Sequence, residues 1–410
     1  MTTSLVSRRS DGSGCFDVVI VGGGVGGTLV ARLLGQAGYE VCLIDRHAVF
    51  PPNFRAEHLD GPQIGQLRRL GLLDDLTLGL YRGETVTTAR AGRIIGTSGT
   101  INYGLRYEDL VNRARASLPA TVQTVIGRVA QVDASDTIQR VRLSDGDIIS
   151  GRLVVLATGH GQAIGKALGI GRRLIRHAHS LTFGFDIEPV GEAFEHSFLV
   201  YQREQIRDRM DYLAAFTMGA TTRVNLFTYR DYKEAWTRAF LADPAAGLRA
   251  TLPGLASVIG TYRPIGPVVA RPIDLYTSER HRRDGVVMIG DAFQAACPAT
   301  GMGMVRLLTD VEQLTALHIP RWLLTPGMNA AKISAFYDDP VKRACDDKAL
   351  HDSEYRRAVS IEQTPAWRLH RGRVRAMETV AGWWRRQSAL SRPRIGTDQP
   401  GDIAGDPARA

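Results

Sequence analysis

A glycine-rich turn held between a strand and a helix constrains this chain more than any other feature. Residues Gly22-Gly23-Gly24-Val25-Gly26-Gly27 follow the apolar run Val18-Val19-Ile20-Val21, with Gly22, Gly24 and Gly27 in the three glycine positions of a dinucleotide fingerprint. The first glycine makes the tight turn, the second lets a pyrophosphate approach the backbone, and the third brings helix against strand. Val25 and Gly26 open the helix with backbone N–H groups free to face phosphates. Val30, Leu33, Leu34 and Ala37 recur at helical spacing and Gly38 stops the helix. The next apolar strand, Val41-Cys42-Leu43-Ile44, ends at Asp45, placed to accept hydrogen bonds from an adenosine ribose.

The chain has 410 residues, which predicts two or three structural units. Its net charge of +9 invites a nucleic-acid reading, but only five lysines occur (Lys166, Lys233, Lys332, Lys342 and Lys348). The basic excess is therefore arginine, spread without a binding module, and no nucleic-acid partner is expected. Cys15, Cys42, Cys297 and Cys345 lie far apart without metal-ligand spacing, so reduced thiols, a cytoplasmic setting and no metal site are expected. Arg8-Arg9 lacks the apolar run of an export signal, because Val18 to Val21 belong to the fold. No stretch reaches the roughly 18 apolar residues of a membrane span.

Apolar spacing predicts further helices over residues 61–73, 107–118 and 232–241, and a helical pattern from 330 to 386. Short strands are expected over 84–101, 122–132 and 141–143, a buried strand over 153–157, and a parallel-type strand over 286–289. Alternation from about 174 to 275 has a different, antiparallel texture. The expected class is α/β with an α+β second domain: a Rossmann-like parallel sheet interrupted by a mainly antiparallel domain and followed by C-terminal helices. The nucleotide domain takes residues 15–80, 102–172 and 280–320; a substrate domain takes 81–101 and 173–279. Residues 321–390 form a helical segment, and 1–14 and 391–410 are tails.

A second signal stands near the far end of the core. Val287-Met288-Ile289-Gly290-Asp291-Ala292 is followed by Pro298-Ala299-Thr300-Gly301-Met302-Gly303-Met304. This strand, Gly-Asp turn, glycine loop and helix resemble the corresponding motif of the FAD-dependent monooxygenases of the aromatic (p-hydroxybenzoate-type) hydroxylase class. The resemblance covers roughly residues 16 to 320. It implies that Asp291 binds the ribityl chain of FAD, and that Pro298, Gly301, Met302 and Gly303 lie against the flavin, where the positive end of the following helix favours the anionic reduced ring. Arg55 in Phe54-Arg55-Ala56-Glu57 and Arg106 in Leu105-Arg106-Tyr107 fall where that family has arginines that contact FAD. Arg46, Val129 and Thr158 are carried over as further FAD contacts.

The chain also departs from the family. Ala157-Thr158-Gly159 stands where an Asp-Gly pair is usual, Phe293 replaces a histidine, and Val305 replaces an asparagine. The family's chemistry passes through a flavin hydroperoxide that hydroxylates an electron-rich carbon, with NADPH or NADH as electron donor, dioxygen as co-substrate and a small aromatic or polyketide-like molecule as substrate.

No catalytic residue is fixed by this pattern. His177 and His179, at i and i+2 of an expected strand, would share a face with Leu181, Phe183 and Phe185 and could serve as a base, or could be two histidines at a strand start near the surface. His160 could stand in for the missing aspartate, and Cys297 reads as a small buried packing residue. Trp367 to Arg394 carries eight arginines and an apolar stripe (Val374, Met377, Val380, Ala381, Trp384). That pattern suits either a helix packed on its own protein or peripheral membrane contact. The leading reading is an FAD-dependent monooxygenase. Alternatives are an FAD-dependent dehydrogenase or reductase of an isoprenoid or other small molecule, and a non-catalytic FAD-binding redox or membrane-interaction module. A halogenase is disfavoured, because the first lysine is Lys166 and the first tryptophan Trp236.

Overall fold

The computed structural model describes residues 14–374 apart from 56, 192, 193 and 220. Most of the C-terminal basic stretch, including Met377, Val380 and Trp384, lies outside these residues, as do the expected tails apart from Gly14. Residues up to Glu362 form one compact unit, and 363–410 belong to a second, in which 365–374 are helical.

The strand Cys15–Val21 is apolar on both faces because it lies inside a parallel sheet. It pairs with Val41–Asp45 on one side and Ile148–Leu156 on the other, with Val18 level with both Val41 and Leu153. Val122–Ile126 extends the sheet beyond Val41–Asp45, and Val286–Met288 pairs in parallel with Ile148–Leu156. The antiparallel strands Gln139–Leu143 and Val129–Asp133 complete it. The helix Val25–Gln36 covers this sheet with Leu29, Val30 and Leu34, all buried.

A second, eight-stranded sheet is built on two long strands, Gly171–Pro189 and Tyr262–Glu279, paired antiparallel. Thr221–Thr228, Met210–Met218 and Phe198–Gln202 follow in order, then the hairpin Tyr81–Arg90 and Arg93–Gly104. Ala91 and Gly92 turn that hairpin at positive φ, as a two-residue connection requires. His58–Leu59 pairs at the hairpin's far edge, so this sheet draws in residues from both sides of the expected strand run.

The two faces of the second sheet differ. Leu181, Phe183 and Phe185 point to one side and pack on Phe240, with the Phe183 and Phe240 centroids 4.7 Å apart. Thr182, Ala214, Phe216, Asn225 and Phe227 point to the other side, toward the first sheet's helices and a cavity. The helix expected over 61–73 is two helices, Gly61–Arg69 and Leu73–Thr77, because Gly71 takes φ +69° between them. Likewise the C-terminal pattern breaks into Ala330–Tyr337 and Pro340–Ile361, with the Asp339 carboxylate capping the second through Val341 N–H (2.8 Å).

Helices Met302–Gln313 and Pro340–Ile361 are joined by charges removed from water. The Lys342 ammonium, 1% exposed, meets Asp310 at 2.8 Å and Asp346 at 3.0 Å. The fully buried Arg306 donates to Asp346 at 2.8 Å, and Asp310 accepts the Gly290 N–H at 2.8 Å. Removing one partner of such a set leaves carboxylates uncompensated in low dielectric. Lys342→Met is therefore expected to cost about 3–5 kcal/mol, read as a fall in the denaturant midpoint at unchanged slope; a midpoint within error of the parent would contradict this assignment.

Candidate functional site

The glycine turn brings helix and strand so close that a Cβ on Gly27 would lie 1.9 Å from the Gly22 carbonyl oxygen. Gly22 itself takes φ +107°, and a Cβ there would lie 2.5 Å from Ala157 O. The packing places the start of the Val25–Gln36 helix at a cavity of about 300 Å³ that Gly24, Val25 and Gly26 line. No side chain caps this helix and its first turn carries no acid, so its leading N–H groups keep their positive end. The helix Met302–Gln313 begins at the same cavity, its first N–H, that of Met302, donating to Thr300 Oγ1 at 3.1 Å. Gly301 is its cap at φ +67°, no acid stands in its first turn, and nothing lies within 4 Å of a Cβ placed on Gly301 or Gly303.

Between the two helix ends stands Asp291, at the bend after Val286–Met288. Its carboxylate pairs with Arg55 at 2.9 Å and lies 3.4 Å from His160 Nε2. Burial alone would raise its pKa, but His160, Arg55 and Arg306 outweigh burial and hold it below the usual carboxylate range. Tyr276 donates its hydroxyl proton to Asp291 O at 2.6 Å and contacts His160 Nδ1 at 3.0 Å. With the tyrosine proton committed, the Nδ1 contact takes the His160 proton, so Nε2 has a proton to offer the aspartate only when the ring is charged. Arg271 also lines this side and donates to Asn53 Oδ1 at 3.1 Å. Two guanidiniums beside one carboxylate give this wall an excess of positive charge.

The residues expected to hold a dinucleotide are only partly brought together. Gly24, Val25, Gly26, Arg55, Asp291, Pro298, Gly301 and Gly303 line the one cavity, while Gly22 and Gly27 stand behind it as packing positions. Asp45 accepts from Gly23 N–H at 2.7 Å and His47 N–H at 2.8 Å, with Arg115 at 3.3 Å, so here its carboxylate is a clamp on the glycine turn. Arg46 is exposed on the following turn. Arg106 is directed to the second sheet, where it pairs with Asp186 at 2.5 Å. Val129 lies on an outer antiparallel strand, Met302 is outside the lining, and Thr158 Oγ1 donates to Gly161 O within its own turn.

The residues present fit FAD. Two helix starts, bare glycine surface, an aspartate placed to meet a hydroxyl and an arginine-rich wall meet around one space. The departures are also accounted for locally. Phe293 is a buried platform, 5.0 Å from the Tyr337 ring, with Lys342 Nζ 4.4 Å above it. Val305 does not line the cavity; its carbonyl accepts from Gln66 and Thr309. The Gly159 turn carries the Arg55 guanidinium against it, where a Cβ would meet Nη2 at 3.2 Å.

The histidine expectation needs correction. His177 and His179 do not share a face, because Ala178 takes φ +43° at a register shift and breaks the two-residue period. His177 is exposed beside Asp274, His179 is fully buried, and neither lines the cavity. Leu181, Phe183 and Phe185 face away from it as well. Cys297 is buried, its thiol pushed up to about 11 by burial, consistent with packing. The groups that do reach the cavity from the second sheet are Thr182, Tyr212, Phe216, Asn225 and Phe227, with Phe198, His58, Glu57, Asp60 and Gln63 beside them. The signal for them was the opposite parity of the same strands, including Tyr212, Ala214 and Phe216 at i, i+2 and i+4.

Burial holds His179 down to about 4 from 6.5, against the upward pull of Glu354 3.9 Å away. A histidine whose folded pKa is depressed binds its proton first in the unfolded chain. Its share of stability is thus complete above about 6.5 and is lost as pH falls toward about 4. The slope is at most about 1.4 kcal/mol per pH unit for this group. Melting curves from neutral to acid pH should steepen less for His179→Gln than for the parent, and parallel pH profiles would contradict the assignment.

Comparison with known proteins agrees with this geometry. The model of the FAD binding domain family matches residues 15–316. The chain is 24% identical over 376 residues to 6-hydroxynicotinate 3-monooxygenase of Bordetella bronchiseptica, covering 85% of this chain and 94% of that protein. It is 28% identical over 341 residues to the ubiquinone hydroxylase UbiL of Rhodospirillum rubrum, covering 77% and 75%. In fold it resembles the crystal structure of p-nitrophenol 4-monooxygenase PnpA from Pseudomonas putida DLL-E4, with a TM-score of 0.71, 21% identity, and 90% and 94% of the two chains covered. With a cavity that two helices begin at, and a family match over most of its length, this protein belongs to the FAD binding domain family, as a divergent FAD-dependent monooxygenase.

Proposed function

We propose that this chain uses NADPH or NADH and dioxygen to hydroxylate an electron-rich aromatic or polyketide-like small molecule. In that reaction one oxygen atom enters the substrate, the other leaves as water, and the nicotinamide supplies the two electrons. The observation that carries the reading is the shared cavity: the helix starts and Asp291 form one wall, and Phe198, Phe216 and Phe227 form another. Bound FAD would supply the electron transfer and the activation of dioxygen.

The chain's own residues would do the rest. N–H groups of Gly24 to Gly26, with Arg55 and Arg271, suit a diphosphate, and Asp291 suits a ribityl hydroxyl. The start of the Met302 helix offers a positive end to the ring edge. The phenylalanines would hold a flat substrate and exclude water. Four separate free thiols support a reducing, cytoplasmic setting. Among the described residues no helix is long and apolar enough to cross a membrane.

The replacement of the usual Asp-Gly by Thr158-Gly159 keeps a second reading in view, a flavin dehydrogenase or reductase in which the substrate itself reduces the cofactor. Anaerobic addition of NADPH or NADH separates the two: bleaching of the flavin band is expected, and a band bleached only by an organic substrate would favour the second. For the cradle itself, Asp291→Ala should bind FAD at least about tenfold more weakly. Undiminished occupancy, judged by the ratio of flavin to protein absorbance, would refute the role given to this aspartate.

A further inference from the structure

The glycine turn is gripped from outside by one arginine. Arg115 stands in the last turn of the helix Tyr107–Ala116 and is 11% exposed. Its Nε and Nη2 donate to Gly23 O at 2.9 and 2.5 Å, and its Nη1 donates to His47 O at 2.6 Å and Ala48 O at 3.2 Å. Nη2 also lies 3.3 Å from Asp45 Oδ1, and the guanidinium sits over the Phe50 ring, 5.5 Å from its centroid. A guanidinium carries its N–H donors in a fixed planar fork. Here the fork is spent on three backbone carbonyls and a carboxylate, so it joins the glycine turn to the loop after the second strand.

Those bonds fix the direction of one peptide. Gly23 O accepts from Arg115 twice and from Thr28 Oγ1 at 3.2 Å, while Gly23 N–H donates to Asp45 Oδ2 at 2.7 Å. In a planar trans peptide the C=O and N–H point opposite ways. With Gly23 O turned to Arg115, the Gly24 N–H of the same peptide is turned away from it, and Gly24 lines the cavity. Glycine on both sides gives this peptide a freedom to flip that side chains would deny it. The arginine also accounts for a residue that the dinucleotide fingerprint leaves open, the one between Gly22 and Gly24. Gly23 is not among the glycines at positive φ, yet a Cβ on it would meet Arg115 Nη2 at 2.6 Å and Asp45 Cβ at 3.0 Å. The guanidinium can move aside only by breaking the bonds it makes.

We propose that Arg115 is a positioning residue for FAD: by holding the Gly23 carbonyl it locks the peptide that presents the Gly24 N–H to the diphosphate, and it thereby requires glycine at position 23. This rests on the proposed function, which seats a diphosphate at Gly24 to Gly26. Arg115 acts through the backbone and needs no contact with the cofactor. Its fork matters more than its charge, which Asp45 balances.

The test is a double-substitution cycle in the full chain, with FAD dissociation constants read from flavin fluorescence and denaturant midpoints measured alongside. Arg115→Ala should bind FAD about tenfold more weakly, and Arg115→Lys, which keeps the charge and loses the fork, about as weakly. Gly23→Ala should cost about tenfold in the parent and less than about threefold beside Arg115→Ala, because the new Cβ then has room. Where Arg115→Ala does not fold, Arg115→Met supplies the same cycle. An arginine that only stabilised the fold would lower the midpoint and leave the FAD affinity of the folded chain unchanged. Parent-like FAD binding by Arg115→Lys, or an equal cost of Gly23→Ala in both backgrounds, would overturn the proposal and leave the FAD assignment standing. A parent chain that binds no FAD would overturn both.

Discussion

The cavity depends first on how closely the helix Val25–Gln36 lies over the strand Cys15–Val21. At Gly27 the helix backbone meets the Gly22 carbonyl with no room for a single side-chain carbon. That approach sets the helix start at the cavity edge and lets its N–H groups point into open space. The other wall is set as firmly by different means. The Gly290 N–H donates to Asp310, Asp310 is paired with Lys342, and Lys342 stands on the long helix Pro340–Ile361. The turn that carries Asp291 is thus tied to the C-terminal part of the same compact unit.

Charge is zoned along the cavity, and the zoning follows from what each part must hold. Near Asp291 the wall carries Arg55 and Arg271, a suitable environment for a diphosphate. Toward the second sheet it becomes aromatic and carries Glu57, Asp60 and neutral polar groups, with Arg271 level with Thr182. The series Glu57, Arg223, Asp186 and Arg106 runs from the cavity wall across the second sheet to the start of the helix Tyr107–Ala116, every charge meeting an opposite one within 3.1 Å. Placing Arg106 in this series explains why an arginine at a familiar sequence position does not reach the cavity.

The nucleotide side of the fold was legible in the sequence because its signals are local. A strand, three spaced glycines, a helical stripe and Gly290-Asp291 each act within a few residues, and the structure brings Gly24, Arg55, Asp291 and Gly301 to one space. The substrate side was not, because it depends on parity in long strands. One residue at positive φ, Ala178, breaks the period that linked His177 and His179 to the strand beyond. The face that looked important by its apolar residues, Leu181, Phe183 and Phe185, is core, whereas the face of mixed character lines the cavity. His58 was silent for another reason: its two-residue strand pairs with a hairpin edge some 45 positions away in sequence, at Gly104 and Tyr103.

Whether this cavity holds FAD is tested most directly by the flavin content of the purified chain. The visible spectrum, compared with protein absorbance after incubation with excess FAD and removal of the unbound portion, is predicted to show one oxidised flavin per chain. A spectrum without a flavin band after the same treatment would contradict FAD binding there.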